Sequence, residues 1–439
     1  MTQKINKLFI ILLILLPIFL ITGPAIPDIV ITFSGIFFLT YILLDENKYE
    51  FINNRFVQIS IIFWLSLIFI SFFAINKKNS FQDSIIFIRF LLIPMSCYFL
   101  FFKEHKYFNY LVTIIFILII FISLDTLFQF FSYTSKDGFG SDLLGFKSDW
   151  YGRLTGPFGD ELIPGSYISK FGLVGYVFLL NKNFKYNFFI QVFYLSIVLV
   201  VCFVSGERMA LATYSMALIL LCLFLKNNRN VIFVSILFGL FIIFLIYKIH
   251  PFYNDYKILE SNQYHQGLKI EKNYMCEEGT NKICSRIIDV QPSFIEILKN
   301  FSTSAYGEIY ILSFEMFKKN PITGIGLNNY KYLCDNEINY SKFMINYNCA
   351  SHPHNTYIQW LTEGGLIVLS FFLIYLFILC NFIYKNNGDN EYKVIAVILL
   401  IILFWPIMST GSLVKNWYGI SVFFIVGLSL CLSRFKRNI

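Results

Sequence analysis

His352-Pro353-His354-Asn355-Thr356-Tyr357-Ile358-Gln359-Trp360-Leu361-Thr362-Glu363-Gly364-Gly365 leads directly into Leu366–Tyr384, a run without a charged residue. Pro353 disfavours helix at His352, and proline sits well just before or at a helix start. The first helical turn is therefore expected at His354 and Asn355. The apolar run behind them is long enough to cross a bilayer, which puts the polar cluster at the membrane–water boundary, at the level of lipid headgroups. Upstream stands Gly324-Ile325-Gly326-Leu327-Asn328-Asn329-Tyr330, followed by an insert bounded by Cys334 and Cys349. Two of the five histidines of the chain lie in this stretch.

The rest of the chain is built around membranes. Of its 439 residues 57% are hydrophobic and only 14% charged, a balance that excludes an ordinary soluble protein of this size. Apolar runs lie near 7–22, 27–44, 57–74, 83–102, 109–131, 162–180, 188–204, 209–225, 231–248, 364–384, 394–408 and 417–433. The expected fold is an all-α polytopic membrane protein of about twelve transmembrane helices. The first run is too long, and lacks a small-residue cleavage site, for a removable signal peptide. Three regions are expected: helices 1–9 with short loops in 1–248, a large segment 249–363, and helices 10–12 with a tail in 364–439.

Orientation follows the basic residues of short loops. With the N-terminus inside, cytoplasmic segments hold fifteen Lys and Arg, from Lys4 to Arg437, against seven in the short outside loops. Both termini are thus expected in the cytoplasm. The net charge of +8 is mostly this bias and does not point to nucleic acid. Residues 249–363 then form an outside cap, partly helical, because so long a loop without structure is unusual. Tyr306, Ile309, Tyr310, Ser313, Met316 and Phe317 recur at helical spacing in 305–319, and Asn320-Pro321 ends that helix.

The Gly-x-Gly turn, the His-Asn-x-Tyr-x-Gln sequence and the Glu-Gly-Gly opening of a transmembrane helix resemble the O-antigen ligase and polymerase superfamily over residues 324–365. The resemblance implies an undecaprenyl-pyrophosphate-linked glycan donor in the bacterial inner membrane, with the active site on the periplasmic side. Two further segments are similar to that superfamily. Arg153-Leu154-Thr155-Gly156-Pro157-Phe158 precedes the sixth apolar run, and Ser205-Gly206-Glu207-Arg208 makes a tight turn between the seventh and eighth. Many members also carry an arginine near the start of the 305–319 helix. Positions 304–308 here are Ser-Ala-Tyr-Gly-Glu, with Arg286 upstream as a possible substitute.

The chemistry follows from the residue types. Histidine has an unperturbed pKa of about 6.5, close to working pH, so His354 is expected to deprotonate or orient an acceptor sugar hydroxyl. His352 shapes the turn. Arginine stays charged and presents a planar fork to phosphate oxygens, so Arg208 and Arg153 are expected to hold the pyrophosphate. Asn355, Tyr357 and Gln359 supply hydrogen bonds, while Gly324 and Gly326 permit close backbone approach. The plainer alternatives are a salt bridge of Arg208 to Glu207, and for Arg153 a membrane anchor or a pairing with Asp160 or Glu161. Arg89 in the fourth run either pairs with a carboxylate such as Asp125 or meets substrate.

Cys276, Cys284, Cys334 and Cys349 lie in the expected cap, where an oxidising periplasm suggests two disulfides. Three pairings are possible, of which 276–284 with 334–349 is the simplest. Zinc on His352, His354 and a cysteine has poor ligand spacing, so no metal and no cofactor are expected. Gly-Ile-Gly lacks the third glycine and the strand of a dinucleotide site. The leading function is a ligase that moves the glycan to lipid A–core. A polymerase extending lipid-linked repeats shares donor and geometry. A transporter or flippase would carry ionisable residues and broken helices at mid-membrane, often in repeated halves, and the spans here are mostly apolar.

Overall fold

The computed structural model describes the chain apart from residues 1, 45–47, 104, 135–137, 149, 151, 183, 255–256, 260–267, 276–282, 291–298, 346, 408 and 437–439. Every one of the twelve apolar runs is occupied by a helix, the first being Thr2–Phe19 and the last Asn416–Leu432. Among the described residues six helices are long and apolar enough to cross a membrane, and four shorter apolar helices accompany them. The chain is a multi-pass membrane protein.

The expectation of an all-helical chain needs one correction. Lys257–Leu259 (β1), Leu268–Met275 (β2) and Ile283–Val290 (β3) form an antiparallel sheet in the order β1-β3-β2. Arg286 stands opposite Ile258 on one side and Glu271 on the other. The β-branched Ile283, Ile287, Ile288 and Val290 favour a strand, and the mixed polar composition of 250–290 conceals their alternation.

The contacts divide the chain into two compact units. The first comprises Met1–Leu20, Pro24–Phe108 and Lys299–Ile439, and the second Ile21–Gly23 and Asn109–Leu298. The expected cap is therefore shared between them, its residues from Lys299 onward belonging to the first unit.

In the first unit the Asn416–Leu432 helix is buried along nearly its whole length. It packs on Ile88–Lys103, where a side chain on Gly427 would meet Cys97 Cβ at 2.8 Å. Small residues at such crossings let helix backbones approach closely. Trp360, fully buried, sets edge-to-face on Phe63 and Phe87 at centroid distances of 5.5 and 5.9 Å, and so locks the beginning of the Thr356–Lys385 helix onto the bundle. Arg89 pairs with Asp28 at 2.6 Å and donates to Asn416 Oδ1 at 2.7 Å. Its carboxylate partner is thus Asp28 rather than Asp125, because Asp28 opens the Ala25–Leu44 helix that packs on Ile88–Lys103.

In the second unit Pro164–Asn181 is the buried helix. Gly172 faces Val198 and Gly239 faces Leu199, where an added Cβ would lie 3.0 Å from Val198 Cγ1 and 2.9 Å from Leu199 Cδ2. His250 stacks on Phe130 with centroids 4.2 Å apart, which assigns this histidine to packing.

Candidate functional site

The stretch around His354 is not a simple helix start. Its helix begins at Thr356, and Asn355 is the N-cap, with Oδ1 accepting the N–H groups of Tyr357 and Ile358 at 3.0 and 3.1 Å. His354 precedes the cap in a left-handed backbone, φ +52°. This corrects the expectation of a first turn at His354: an asparagine caps well because its side-chain oxygen replaces the missing carbonyl, and the cap residue must itself be extended.

A segment not expected to matter holds this turn. Residues 404–415 join the last two apolar helices. Thr410 donates its N–H to the His354 carbonyl at 2.8 Å, and its own carbonyl lies 3.2 Å from His352 Nε2. A carbonyl only accepts, so His352 carries its proton on Nε2, and Ser351 donates its hydroxyl to Nδ1 at 2.8 Å. Pro406 and Phe404 carbonyls accept from Asn355 Nδ2 and the Tyr357 hydroxyl at 2.8 and 2.6 Å. Gln359 Nε2 donates to Ser412 and to Glu363 at 2.7 and 2.9 Å. Asn355, Tyr357 and Gln359 are therefore engaged with the protein, and their hydrogen bonds position the turn. The signal in the sequence was Pro406-Ile407-Met408-Ser409-Thr410-Gly411-Ser412 between two apolar runs, a polar interruption with no charge to draw attention to it.

The imidazoles of His352 and His354 lie with centroids 4.1 Å apart. Burial pushes His352 down to about 3, with the neighbouring His354 adding to the effect and the Thr410 carbonyl opposing it. His354 moves downward as well, chiefly through burial, again against the Thr410 carbonyl. Both rings are held neutral at pH 7. Tyr306 presents its ring edge-to-face to His354 at 6.1 Å, and its hydroxyl accepts from Ser409 at 3.0 Å. Tyr306 stands in the 304–308 window that holds no arginine.

Gly324 and Gly326 let the chain approach its own backbone closely. Gly365, φ +63°, breaks the Thr356–Lys385 helix. The loop 321–326 enters the break. Ile325 and Gly326 donate to the Thr362 and Glu363 carbonyls at 3.1 and 2.9 Å, and Leu366 and Ile367 donate to the Pro321 and Ile322 carbonyls at 2.9 and 3.2 Å. Four backbone groups freed by the kink are thus satisfied by one loop, as buried amides require. A side chain at Gly324 would meet the Glu363 carbonyl at 2.5 Å, and one at Gly326 would meet Ala74. The close backbone approach is protein to protein. A disulfide joins Cys334 to Cys349, Cα atoms 5.8 Å apart, and closes the insert three residues before His352. Cys276 lies outside the described residues.

Arg153 and Arg208 meet at one turn in the second unit. Leu154 donates to the Ser205 carbonyl at 3.1 Å. Gly206, φ +76°, has the Gly152 carbonyl where a side chain would begin. Arg153 Nη2 donates to the Leu162 carbonyl at 2.8 Å and lies 3.8 Å from Glu207 Oε2. Glu207 also accepts the Ser166 N–H at 3.0 Å. Its carboxyl is raised by burial, with Arg153 the first influence holding it down. The ion partner of Glu207 is Arg153, not Arg208, and it is Glu207 rather than Asp160 or Glu161 that faces Arg153. Arg208 is exposed, at the first position of its helix, with no ion-pair partner among the described residues. Lys170 donates to Ser166 beside this cluster. A lysine inside an apolar run was itself the signal, passed over in reading the sequence. Among the described residues no three His, Cys, Asp or Glu side chains gather to hold a metal.

His354 is half-buried on a turn of the first unit, and Arg208 is exposed on a turn of the second. Residues 193–373 match the family model described as O-antigen ligase. That range contains both the Ser205–Arg208 turn and the His354–Gly365 stretch, while Arg153 lies outside it. Members of this family carry out O-antigen ligase and polymerase-type transfer of lipid-linked glycans. No curated protein matches the chain.

Proposed function

We propose that this chain moves a glycan from undecaprenyl pyrophosphate to a sugar hydroxyl of lipid A–core, at the periplasmic face of the inner membrane, with both termini in the cytoplasm. The observation that carries the reading is the neutral imidazole of His354, carried on a backbone that Thr410 holds and that the Asn355 cap follows. In the transfer, His354 takes the proton of the acceptor hydroxyl as its oxygen attacks the anomeric carbon. The bond from that carbon to the pyrophosphate oxygen breaks, and undecaprenyl pyrophosphate leaves. Arg208, with Arg153 behind it, offsets the charge on the leaving group. Asn355, Tyr357 and Gln359 act as positioning residues, and Gly324, Gly326 and Gly365 keep the turn in register with the bundle. His352 fixes the turn through its bond to Thr410.

A polymerase that extends lipid-linked repeats would use the same groups with a different acceptor. Purified protein given the lipid-linked glycan, with and without lipid A–core, separates the readings. Glycan on lipid A–core supports the ligase, and longer polyprenyl-linked chains formed without it support the polymerase. No product with either acceptor, from protein that still binds donor, would favour a transporter.

A further inference from the structure

A hairpin in the second unit takes no part in the proposed transfer. Residues 141–147 follow the His105–Phe131 helix and are closed by a bridge between Ser141 and Lys147. The hairpin does not stand off from that helix. Leu143 donates its N–H to Asp125 Oδ1 at 2.9 Å, and the Phe146 carbonyl accepts from Gln129 Nε2 at 3.3 Å. The tip is therefore tied beside Asp125, well before the helix ends at Phe131. The helix from Asp125 to Phe131 rises about 9 Å. The chain leaves the helix at Phe131 and then folds back along it by roughly that distance.

That depth reaches the bilayer. The helix has 27 residues and is long and apolar enough to cross a membrane. It measures about 40 Å, and a hydrocarbon core measures about 30 Å. A centred helix of that length extends about 5 Å past the core at each end. A point about 9 Å below its end thus lies just inside the hydrocarbon. One face of the helix is apolar and outward: Ile117, Phe121, Leu124, Phe128 and Phe131 are exposed at spacings of three and four. Asp125 and Gln129, which hold the hairpin, follow Leu124 and Phe128 directly and so border this stripe.

The tip suits that setting. Leu143, Leu144 and Phe146 are 55%, 56% and 41% exposed, apolar surface that water disfavours. The backbone donors beneath them are all used. Leu144 and Phe146 donate to Asp142 Oδ1 at 3.0 and 2.6 Å, and Gly145 donates to the Asp142 carbonyl at 3.2 Å. With Leu143 on Asp125, every N–H from 143 to 146 is satisfied within the protein, as a lipid setting demands. Lys147 is exposed at the base of the hairpin. A lysine there lays its stem along apolar surface and keeps its ammonium at the headgroups.

We infer that the 141–147 hairpin dips into the adjoining leaflet, with Leu143, Leu144 and Phe146 among the acyl chains of its lipids. The apolar tip is continuous with the outward stripe of a membrane-crossing helix, which makes the bilayer its occupant. The anchored hairpin steadies the loop behind it, because Ser148 donates its hydroxyl to the Arg153 carbonyl at 2.6 Å. The inference stands independently of the glycan-transfer reading.

Photocrosslinking tests it. The full chain carries a benzophenone amino acid in place of Leu144, is reconstituted in phosphatidylethanolamine–phosphatidylglycerol vesicles and is irradiated. Mass spectrometry identifies the adducts. The same label in place of Phe128 reports a lipid-facing helix position. Acyl-chain adducts at Leu144 within about fivefold of those at Phe128 are expected, since both positions lie at hydrocarbon depth. A label in place of Leu143 gives the same test if the chain labelled at Leu144 fails to insert. Acyl-chain labelling below that level at both tip positions would overturn the proposal. Adducts confined to protein would mean that another segment covers the tip, and adducts confined to headgroups that the tip lies above the acyl region; either result overturns it as well.

Discussion

The His354 carbonyl accepts the backbone N–H of Thr410 at 2.8 Å, so a residue 56 positions downstream fixes the backbone of the proposed base. Thr410 also accepts from His352. One residue thereby sets both histidines, and the side chain of His354 need not stabilise its own loop. That separation is what allows His354 to be replaced without collapse of the turn, although φ +52° costs a side-chain-bearing residue about 1–3 kcal/mol.

Stability should depend on pH through His352. Its folded pKa, about 3, lies below the unfolded value of 6.5. In the window between them the unfolded chain binds the extra proton, so stability is fully present above about 6.5 and declines as pH falls toward 3. Thermal unfolding in detergent should show this slope, up to about tenfold in the unfolding equilibrium per pH unit for a single proton. His352→Gln, which cannot titrate, should flatten it. An unchanged slope in that variant would contradict the buried neutral assignment.

Arg208 is exposed and pairs with nothing described, so Arg208→Ala should leave thermal stability within about 0.5 kcal/mol of wild type while weakening donor binding. Arg208→Lys should retain part of that binding, since charge survives without the fork. Arg153→Ala should lower both binding and stability, because Arg153 also holds Leu162 and Glu207. Titration of the lipid-linked donor against each variant distinguishes the two arginines. Equal losses of stability would argue against the division of roles.

Gly365→Ala should destabilise the chain by at least about 1–3 kcal/mol, from left-handed strain alone, and by more because a side chain there meets the Ile322 carbonyl. Gly324→Ala should act likewise. Since both glycines serve one junction, the double variant should cost less than the two single losses added together. Urea or thermal unfolding of the four proteins checks this; strict additivity would separate the loop from the helix break.

Much of this was legible in the chain. Length and hydrophobicity of the runs located helical stretches, six of them long and apolar enough to cross a membrane among the described residues, because a segment in lipid must satisfy its own backbone groups. The His354–Gly365 stretch was visible because unusual residue types crowd one junction. What escaped depends on long-range pairing. Nothing near Gly324 announces that it plugs the break at Gly365, since φ +67° at one glycine and +63° at the other are local facts joined only in space. The polar segment around Thr410 carries no charge or motif, and its importance lies in backbone groups that every residue possesses. Arg89 misled for a similar reason: a buried arginine demands a carboxylate, but only packing selects Asp28.

The most direct test is transfer by reconstituted protein carrying His354→Ala, with undecaprenyl-pyrophosphate-linked glycan and lipid A–core supplied and donor binding measured in parallel. The account predicts a folded, donor-binding protein whose transfer falls at least about 100-fold, the scale of a lost general base. Transfer at the wild-type rate by that variant would contradict the role assigned to His354.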